Sequence, residues 1–234
     1  MDKLYIVIPA YNESENIETV VDEWHPVAEK YGEDSRLVVI DDGSKDNTLE
    51  ILDSLKEKYS RLIVLGKPNG GHGSAVIHGY KYALDAGADF VFQTDSDGQT
   101  RPEEFGPFWE NRKKYQMVIG ERSGRQDGAS RVFVTKTLKL VLWLVFGAAV
   151  KDANTPYRLM RAKPLRRALE LFDDRYNLPN IIITVAMTKW RYPVKYIHIT
   201  FRPRQGGVNS LNMKKIFKIG LKALKDFREI RARI

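Results

Sequence analysis

The stretch LVVIDDGS, residues 37–44, places an apolar run directly before two carboxylates, a glycine and a serine. An apolar run of this length bounded by turn-forming residues is typical of a buried strand, and the polar residues predict a turn at its carboxyl end. The chain around it alternates in the same way. Strand-like runs at Leu4–Pro9 and Leu62–Leu65 lie on either side, and helix-like segments at Glu15–Lys30 and Ser44–Tyr59 separate the three runs.

The alternation continues to about residue 120 and is less regular beyond it. The further predicted elements are a helix at Gly73–Ala86, strands at Asp89–Asp95 and Met117–Gly120, helices at Val132–Val150 and Pro164–Phe172, a strand at Val194–Phe201 and a helix at Asn209–Ile234. This order predicts an α/β fold with a single Rossmann-like, mostly parallel sheet flanked by helices. The last helix combines an apolar stripe with a lysine-rich face, so we divide the chain into a domain over residues 1–208 and a basic amphipathic C-terminal helix over residues 209–234.

The positive charge of the chain is concentrated at its C-terminal end. The 234 residues carry a net charge of +8, and residues 201–234 contain ten Lys and Arg against two Asp and Glu, which accounts for all of it. A basic tail on a neutral body indicates a phosphate ligand, an anionic membrane surface or nucleic acid as partner. Because the chain has no cysteine, disulfides and thiolate metal sites are excluded, and any metal must be held by oxygen or imidazole ligands.

The longest apolar run, Leu140–Val150, is too short for a transmembrane helix, which needs about 20 apolar residues. The first residues also lack the pattern of a signal peptide. We therefore expect the protein in the cytoplasm, with a peripheral position at the cytoplasmic membrane face as an extension of that expectation. The run itself has two interpretations, a core helix or a helix that lies against the membrane interface.

Asp95 and Asp97 are separated by one residue and follow a predicted buried strand. Two carboxylates on one turn can reach the same cation, and Mg²⁺ or Mn²⁺ prefers such oxygen ligands, often shared with substrate phosphates. Gln99 offers an amide oxygen as a third ligand. The alternative is a turn stabilised by aspartate caps, with no metal.

Two more polar turns are expected at the same edge of the sheet, since ligands of parallel α/β sheets bind beyond the carboxyl ends of the strands. Asp41 and Asp42 need hydrogen-bond donors around them, which a nucleotide base and ribose supply, although Ser44 could instead simply cap a helix. The turn Asn69–Ser74 is rich in glycine and lets a ligand approach the backbone, but it lacks the spacing of a phosphate-binding P-loop.

Four motifs together resemble the family 2 glycosyltransferases of the GT-A fold: Pro9–Glu13, Asp41–Ser44, Asn69–Ala75 and Asp95–Asp97. The resemblance covers about the first 125 residues. His72 stands where many members of that family have a lysine.

The resemblance implies a role for each matching residue. The nucleotide-binding residues would be Pro9, Tyr11, Glu13, Asp42, Gly71 and Asp95, and the metal ligands Asp95, Asp97 and Gln99.

The second half of the chain resembles the dolichyl- and polyprenyl-phosphate glycosyltransferase branch of this family. The motifs that carry this resemblance are Gly120–Ser123, Arg131, Lys151–Leu159 and Phe201–Arg204 with the glycines that follow. It implies that Arg122, Arg131, Arg202 and Arg204 flank the phosphates, as catalytic residues beside Asp95 and Asp97. Arginine forks suit phosphate oxygens.

The expected reaction is an inverting transfer of one sugar from a GDP- or UDP-linked donor to a polyprenyl or dolichyl phosphate. The expected partners are the nucleotide sugar, the lipid phosphate, an anionic membrane surface and a membrane subunit, with no nucleic acid. A second interpretation is the same chemistry on a glycan or other hydroxyl acceptor, with Asp152 as candidate base. Two further interpretations are a nucleotidyltransferase and a non-catalytic module that binds anionic membranes.

Overall fold

The computed structural model describes the backbone of residues 2–122, 129–202 and 223–234, and the side chains of the same ranges except residues 122 and 129–136. The strands are β1 (Leu4–Ala10), β2 (Arg36–Asp41), β3 (Leu62–Gly66), β4 (Phe90–Gln93), β5 (Met117–Arg122), β6 (Arg158–Arg161) and β7 (Val194–Ile199). The α-helices are α1 (Ile17–Lys30), α2 (Thr48–Lys58), α3 (His72–Asp85), α4 (Gly106–Asn111), α5 (Ala129–Phe146), α6 (Ala162–Leu169) and α7 (Pro179–Lys189), and a 3-10 turn covers Pro102–Phe105.

Within the described ranges, seven strands form one sheet in the order β3-β2-β1-β4-β6-β5-β7. All neighbouring pairs are parallel except those of β6, which runs antiparallel to both β4 and β5. The prediction of a mostly parallel sheet flanked by helices is confirmed. The sequence analysis did not predict β6, since its sequence RLMR is too short to show a strand period, and it also did not predict α7.

The strand directions bring the polar turns to one edge. The parallel strands β1, β2 and β4 end there at Ala10, Asp41 and Gln93, and the antiparallel β6 begins there at Arg158. The loop that precedes β6 therefore faces the turns that follow the three parallel strands. We call this the carboxyl edge of the sheet.

Three apolar clusters hold the layers together. On one face of the sheet, α1, α2 and the 3-10 turn pack around the fully buried Trp24 and Phe92, whose ring centroids are 5.3 Å apart. On the other face, α3, α6 and α7 cover the sheet. The third cluster lies outside α7, where α5 and the C-terminal segment pack together. Burial of these apolar surfaces, rather than helix propensity, is the main source of helix stability.

Helix α5 ends at Phe146, four residues earlier than predicted. Gly147 adopts a φ of 64°, and its N–H donates to the carbonyl oxygen of Trp143 at 2.8 Å. A glycine in this left-handed conformation is a common helix terminator because it has no Cβ to clash.

Helix α2 begins at Thr48 rather than at Ser44. Asp46, rather than Ser44, accepts a hydrogen bond from the first residue of the helix. The N–H of Thr48 donates to its Oδ1 at 3.1 Å. Desolvation opposes the charge of Asp46, but its hydrogen bonds with Thr48 and Ser14 outweigh that effect and lower the pKa of Asp46. The interpretation of Ser44 as the helix cap was wrong.

Only the end of the predicted C-terminal helix lies in the described residues. Residues 223–231 are helical, and Ala223, Phe227 and Ile230 are buried against α5, with the rings of Phe146 and Phe227 5.6 Å apart. Residues 203–222 of the chain lie outside the described residues. Across the part of the chain that is described, no helix combines the length and apolar character needed to cross a bilayer.

Candidate functional site

The turn after β4 presents Asp95 and Asp97 at the carboxyl edge. Thr94 and Thr100 are buried, with their hydroxyl oxygens 2.6 Å apart, and Ser96 is buried between the two aspartates. The backbone between them places the two carboxylates in partly exposed positions. The turn is thus anchored from inside and offers both carboxylates outward.

His72, the first residue of α3, lies beside this turn. Its Nε2 is 3.2 Å from Oδ1 of Asp95. Desolvation lowers the pKa of His72, but the hydrogen bond with Asp95 and the charges of Asp95, Asp42 and Asp97 outweigh it and raise the pKa overall. The side chain that stands where many family members have a lysine is thus an imidazole in contact with Asp95.

The donor set at this turn fits a divalent cation. The two carboxylates of Asp95 and Asp97 are oxygen ligands of the kind that Mg²⁺ and Mn²⁺ prefer. In the described ranges, no group of three or more His, Asp or Glu side chains is arranged closely enough to hold a metal without further ligands. A cation at Asp95 and Asp97 would therefore need oxygen atoms from its substrate, as magnesium sites that bind phosphates commonly do.

Asp42 fastens the glycine-rich turn to the end of β2. Its Oδ1 lies 2.5 Å from the Nζ of Lys67 and accepts the N–H of Gly70 at 3.0 Å, and its Oδ2 accepts the N–H of Gly71 at 2.7 Å. Nδ2 of Asn69 donates to the carbonyl oxygen of Asp42 at 2.8 Å. The donors that the sequence analysis assigned to a nucleotide are supplied here by the chain itself.

Asp41, the preceding residue, is in a different situation. Its Oδ2 accepts the N–H of Ser44 at 3.2 Å, whereas its Oδ1 is buried and has no hydrogen-bond partner. A buried carboxylate oxygen without a donor is costly, by about 1–3 kcal/mol or more. Asp41 is therefore an acceptor for a donor that the described residues do not provide.

The turns after β1 and β2 are bound to each other. The N–H of Asn12 donates to Oγ of Ser44 at 2.9 Å, and Oδ1 of Asn12 accepts the N–H of Lys45 at 2.8 Å. Asn12 has a φ of 54°, a conformation that asparagine tolerates better than most residues. This pairing gives the carboxyl edge a fixed shape between β1 and β2.

The other residues proposed for the nucleotide pocket differ in their exposure. Tyr11 is 41% exposed at the carboxyl edge, whereas Pro9 is buried within β1. Glu13 is buried, and one of its carboxylate oxygens accepts Nδ2 of Asn16 at 2.8 Å. Of these three residues, Tyr11 has the most accessible side chain.

The segment before α7 covers the glycine-rich turn. A Cβ on Gly73 would lie 2.3 Å from the carbonyl oxygen of Tyr176 and 2.7 Å from the backbone of Asn177, and Gly71 has a φ of 88°. Glycine is therefore needed at both positions, at Gly73 for close backbone packing and at Gly71 for its left-handed conformation. The sequence analysis interpreted these glycines only as positions where a ligand can approach the backbone closely.

Gln99 connects the Asp95–Asp97 turn to the segment after β7. Its carbonyl oxygen accepts the N–H of Arg202 at 2.8 Å, and its Nε2 donates to the carbonyl oxygen of Arg202 at 3.2 Å. The guanidinium of Arg202 lies 2.5 Å from Glu23 and 3.6 Å from Glu103. These two carboxylates compete with a phosphate for the guanidinium of Arg202.

The side chains of the other three predicted arginines are not among the described residues. Arg122 ends β5 at the carboxyl edge and Arg131 lies in α5, but both side chains lie outside the described residues, as does the whole of Arg204. Asp152, the candidate base, is partly buried, and its Oδ1 accepts the N–H of Asn154 at 3.3 Å.

Arg158 is a buried cation that the sequence analysis quoted but assigned no role. Its guanidinium is fully buried and donates to the carbonyl oxygens of Ala153, Thr155 and Asn180 and to Oγ1 of Thr184, at 2.6–3.2 Å. Burial lowers the pKa of Arg158, and these oxygens offset that cost. The side chain thereby holds the loop before β6 against the start of α7.

The same network reaches the end of β4. The hydroxyl of Tyr80 lies 2.5 Å from Oε1 of Gln93 and 3.2 Å from Oδ1 of Asn180, and all three residues are buried. Gln93 is two residues from Asp95. A buried polar network therefore supports the Asp95–Asp97 turn from the protein interior, and only the tertiary contacts identify it.

Two transferases are among the relatives that are similar to this chain. One is the undecaprenyl-phosphate 4-deoxy-4-formamido-L-arabinose transferase of Pectobacterium atrosepticum, 28% identical over 185 residues that cover 77% of this chain. The chain spans only 55% of the length of that relative. The other is the UDP-N-acetylglucosamine–dolichyl-phosphate N-acetylglucosaminyltransferase of Methanococcus voltae, 27% identical over 93% of this chain and 95% of the relative.

Among solved structures, the chain is similar to glucosyl-3-phosphoglycerate synthase from Mycobacterium tuberculosis in complex with Mn²⁺, uridine diphosphate and phosphoglyceric acid. The TM-score is 0.68 at 17% identity, and the alignment covers 98% of this chain and 78% of that one. This likeness shows that the fold is the GT-A fold that the resemblance implied.

The chain also matches a whole protein family. Residues 5–172 match the family described as glycosyl transferase family 2, from β1 through the Asp95–Asp97 turn to just beyond α6. The matched part includes the turns after β1, β2 and β4 and the glycine-rich turn before α3. Because this match covers well over half of the chain, the protein belongs to glycosyl transferase family 2.

Proposed function

We propose that the protein transfers one sugar, with inversion, from a nucleotide diphosphate sugar to a polyprenyl or dolichyl phosphate. The observation that carries the proposal is the convergence of the β2 turn, the glycine-rich turn and the Asp95–Asp97 turn at one edge, where His72 lies 3.2 Å from Asp95. The named relatives act on lipid phosphates, which supports this class of acceptor. The donor is a GDP- or UDP-sugar, and nucleotide diphosphate release from each distinguishes the two.

In this proposal, Asp95 and Asp97 hold Mg²⁺ or Mn²⁺, with Gln99 as a third ligand through its Oε1. When bound by Asp95 and Asp97, such a cation would supply positive charge for the departing nucleotide diphosphate. His72 lies beside the same carboxylates, with its Nε2 3.2 Å from Oδ1 of Asp95, and would help to orient that carboxylate. The Mn²⁺ bound to glucosyl-3-phosphoglycerate synthase, a protein of the same fold, is consistent with such a site.

The nucleotide would lie over the turns after β1 and β2. Tyr11 is exposed there and can stack on a base, while Pro9 and Glu13 shape the turn beneath it. Asp41 has the unpaired oxygen that a base or ribose donor would satisfy. We propose that Asp42 acts together with Gly71, by holding the glycine-rich turn at the pocket.

The acceptor would be oriented by the arginines Arg122, Arg131, Arg202 and Arg204. Their cationic forks would stabilise the phosphate and the charge that develops on the leaving group. A phosphate oxygen is already deprotonated near neutral pH, so the attack needs no general base. A hydroxyl acceptor would need one, and Asp152 is the candidate for that case.

The acceptor also implies a membrane surface. A lipid phosphate lies at the interface of a bilayer, and a basic tail is drawn to anionic lipids. A membrane-embedded subunit that presents the lipid is a further proposed partner.

Lys67→Met is expected to raise KM for the nucleotide sugar about tenfold with a smaller effect on kcat. The substitution removes the cation from the nearly buried carboxylate of Asp42, and a lost charged hydrogen bond of about 1.5–3 kcal/mol would loosen the glycine-rich turn. Steady-state kinetics over a range of donor concentrations measures the effect. The control is Lys56→Met, which breaks an exposed pair with Asp53, and equal KM values in the two variants would contradict the role of Lys67.

The direct test is a panel of GDP- and UDP-sugars with Mg²⁺ or Mn²⁺, with and without polyprenyl phosphate, in which nucleotide diphosphate release is followed. We expect release only when the cation, one donor and the lipid phosphate are all present. Release that needs a glycan or another hydroxyl compound would replace the acceptor in this proposal. No release with any donor would overturn the proposal.

A further inference from the structure

Helix α5 carries an exposed apolar ridge formed by Leu140, Trp143 and Leu144. These side chains are 56%, 57% and 62% exposed. They occur at positions i, i+3 and i+4, so they lie together on one face of the helix. An exposed cluster of large apolar side chains indicates an interaction surface.

The opposite face of α5 is already used for packing. Leu142 and Phe146 are buried in the third apolar cluster, against α7 and the C-terminal segment. The ridge is therefore not the face by which α5 packs into the core, because that face carries Leu142 and Phe146. It is a second apolar stripe that the described residues leave uncovered.

Basic side chains are exposed in the same layer of the molecule. Lys139 is exposed next to the ridge on α5, and Lys225, Arg228 and Arg231 are exposed on the C-terminal helical turns, which contact the buried face of α5 through Phe227. An exposed apolar helix face accompanied by exposed cations is typical of helices that lie in the interface of anionic bilayers.

The ridge is also close in the chain to the proposed site. Helix α5 leads through residues 147–157 to β6, which begins at the carboxyl edge. Lys151 in this connection lies 3.7 Å from Glu121 at the end of β5, which ties the connection to the same edge. The segment that follows the ridge in the chain thus reaches the edge where the lipid phosphate is expected.

We propose that Leu140, Trp143 and Leu144 insert into the interface of an anionic lipid bilayer. Tryptophan is favoured at this depth because its ring is apolar and its N–H is polar. A second copy of the chain is a less suitable occupant, because a two-fold interface across the ridge would bring Lys139 of the two copies close together. The role of this contact in catalysis rests on the lipid-phosphate acceptor proposed above, whereas membrane binding itself does not depend on it.

The test is co-sedimentation of the protein with vesicles of phosphatidylcholine alone or mixed with phosphatidylglycerol, in the absence of donor and acceptor. We expect the wild type to bind the anionic vesicles, and Trp143→Glu to bind them about tenfold or more weakly, because a buried ring is replaced by a charge. Leu49→Glu is the matched control, a large apolar residue exposed on α2, and should bind like the wild type. Equal melting temperatures would establish that both variants fold.

A second measurement uses the emission of Trp143 itself. Brominated lipids in the anionic vesicles should quench part of the tryptophan fluorescence, and this part should be absent in Trp143→Phe. Binding of Trp143→Glu within twofold of the wild type would overturn the proposal. A wild-type dimer that Trp143→Glu converts to a monomer, without vesicle binding, would also overturn it and assign the ridge to a second copy. Because no sugar transfer is measured, these outcomes are independent of the proposed reaction.

Discussion

Asp97→Asn and Asp97→Ala should each lower metal-dependent sugar transfer by about a thousandfold or more. A divalent cation contributes several kcal/mol of transition-state stabilisation, and about 4 kcal/mol corresponds to about a thousandfold in rate. The two variants differ in what else they change. Asp97 accepts the N–H of Gln99 through Oδ1 at 3.1 Å, and asparagine can keep this hydrogen bond whereas alanine cannot.

The fold should survive both substitutions, since Asp97 is partly exposed on a turn that is anchored by Thr94 and Thr100. Mn²⁺ binding, followed by the paramagnetic resonance of free Mn²⁺ in the presence of nucleotide diphosphate, provides a readout besides turnover. Asp53→Asn on the exposed surface of α2 is the control and should change neither quantity. Wild-type turnover in a folded Asp97→Asn protein would falsify the assignment of the metal to this turn.

Arg158→Met is expected to destabilise the protein by about 3–5 kcal/mol, the largest stability effect that we predict for a single substitution here. Methionine fills much of the same space, but it leaves the buried carbonyl oxygens of Ala153, Thr155 and Asn180 without their donor. For a chain of this size, the melting temperature should fall by about 10 °C. Urea unfolding followed by circular dichroism measures the free energy of unfolding directly.

The matched control for this substitution lies on the same strand. Arg161→Met removes a guanidinium at the other end of β6, where the side chain is only half-buried, and should cost about 1 kcal/mol or less. Arg158→Lys should retain part of the stability, because an ammonium keeps the charge but cannot reach all of the same oxygens. A free energy of unfolding for Arg158→Met within 1 kcal/mol of the wild type would show that water replaces the guanidinium at those oxygens.

The sequence was sufficient for the strands that carry the site. β1, β2 and β4 are apolar runs followed by polar turns, and this pattern depends on neighbours along the chain, so it predicts both the strand and the position of its end. The same reasoning failed for β6. Its four residues RLMR have no apolar period, and they form a strand because β4 and β5 on either side supply hydrogen-bond partners.

The assignment of individual carboxylates shows a similar division. Asp41 and Asp42 are adjacent and look equivalent in the sequence, yet one carries a buried unpaired oxygen and the other accepts donors from Lys67, Gly70 and Gly71. Successive side chains leave the end of a strand in opposite directions, so their surroundings differ completely. Those surroundings come from a turn almost 30 residues away in the chain.

What the sequence by itself determined is therefore the α/β class, the family and the edge at which Asp95 and Asp97 gather, because strand periodicity and turn chemistry are local properties. Only the tertiary structure decided that His72 lies beside Asp95, that Arg158 is buried among carbonyl oxygens, and that α5 has a covered and an uncovered apolar face. These features depend on which distant segments meet. The sequence pattern shows the period of a helix or strand. Contacts between distant segments decide which side chains of that helix or strand are buried.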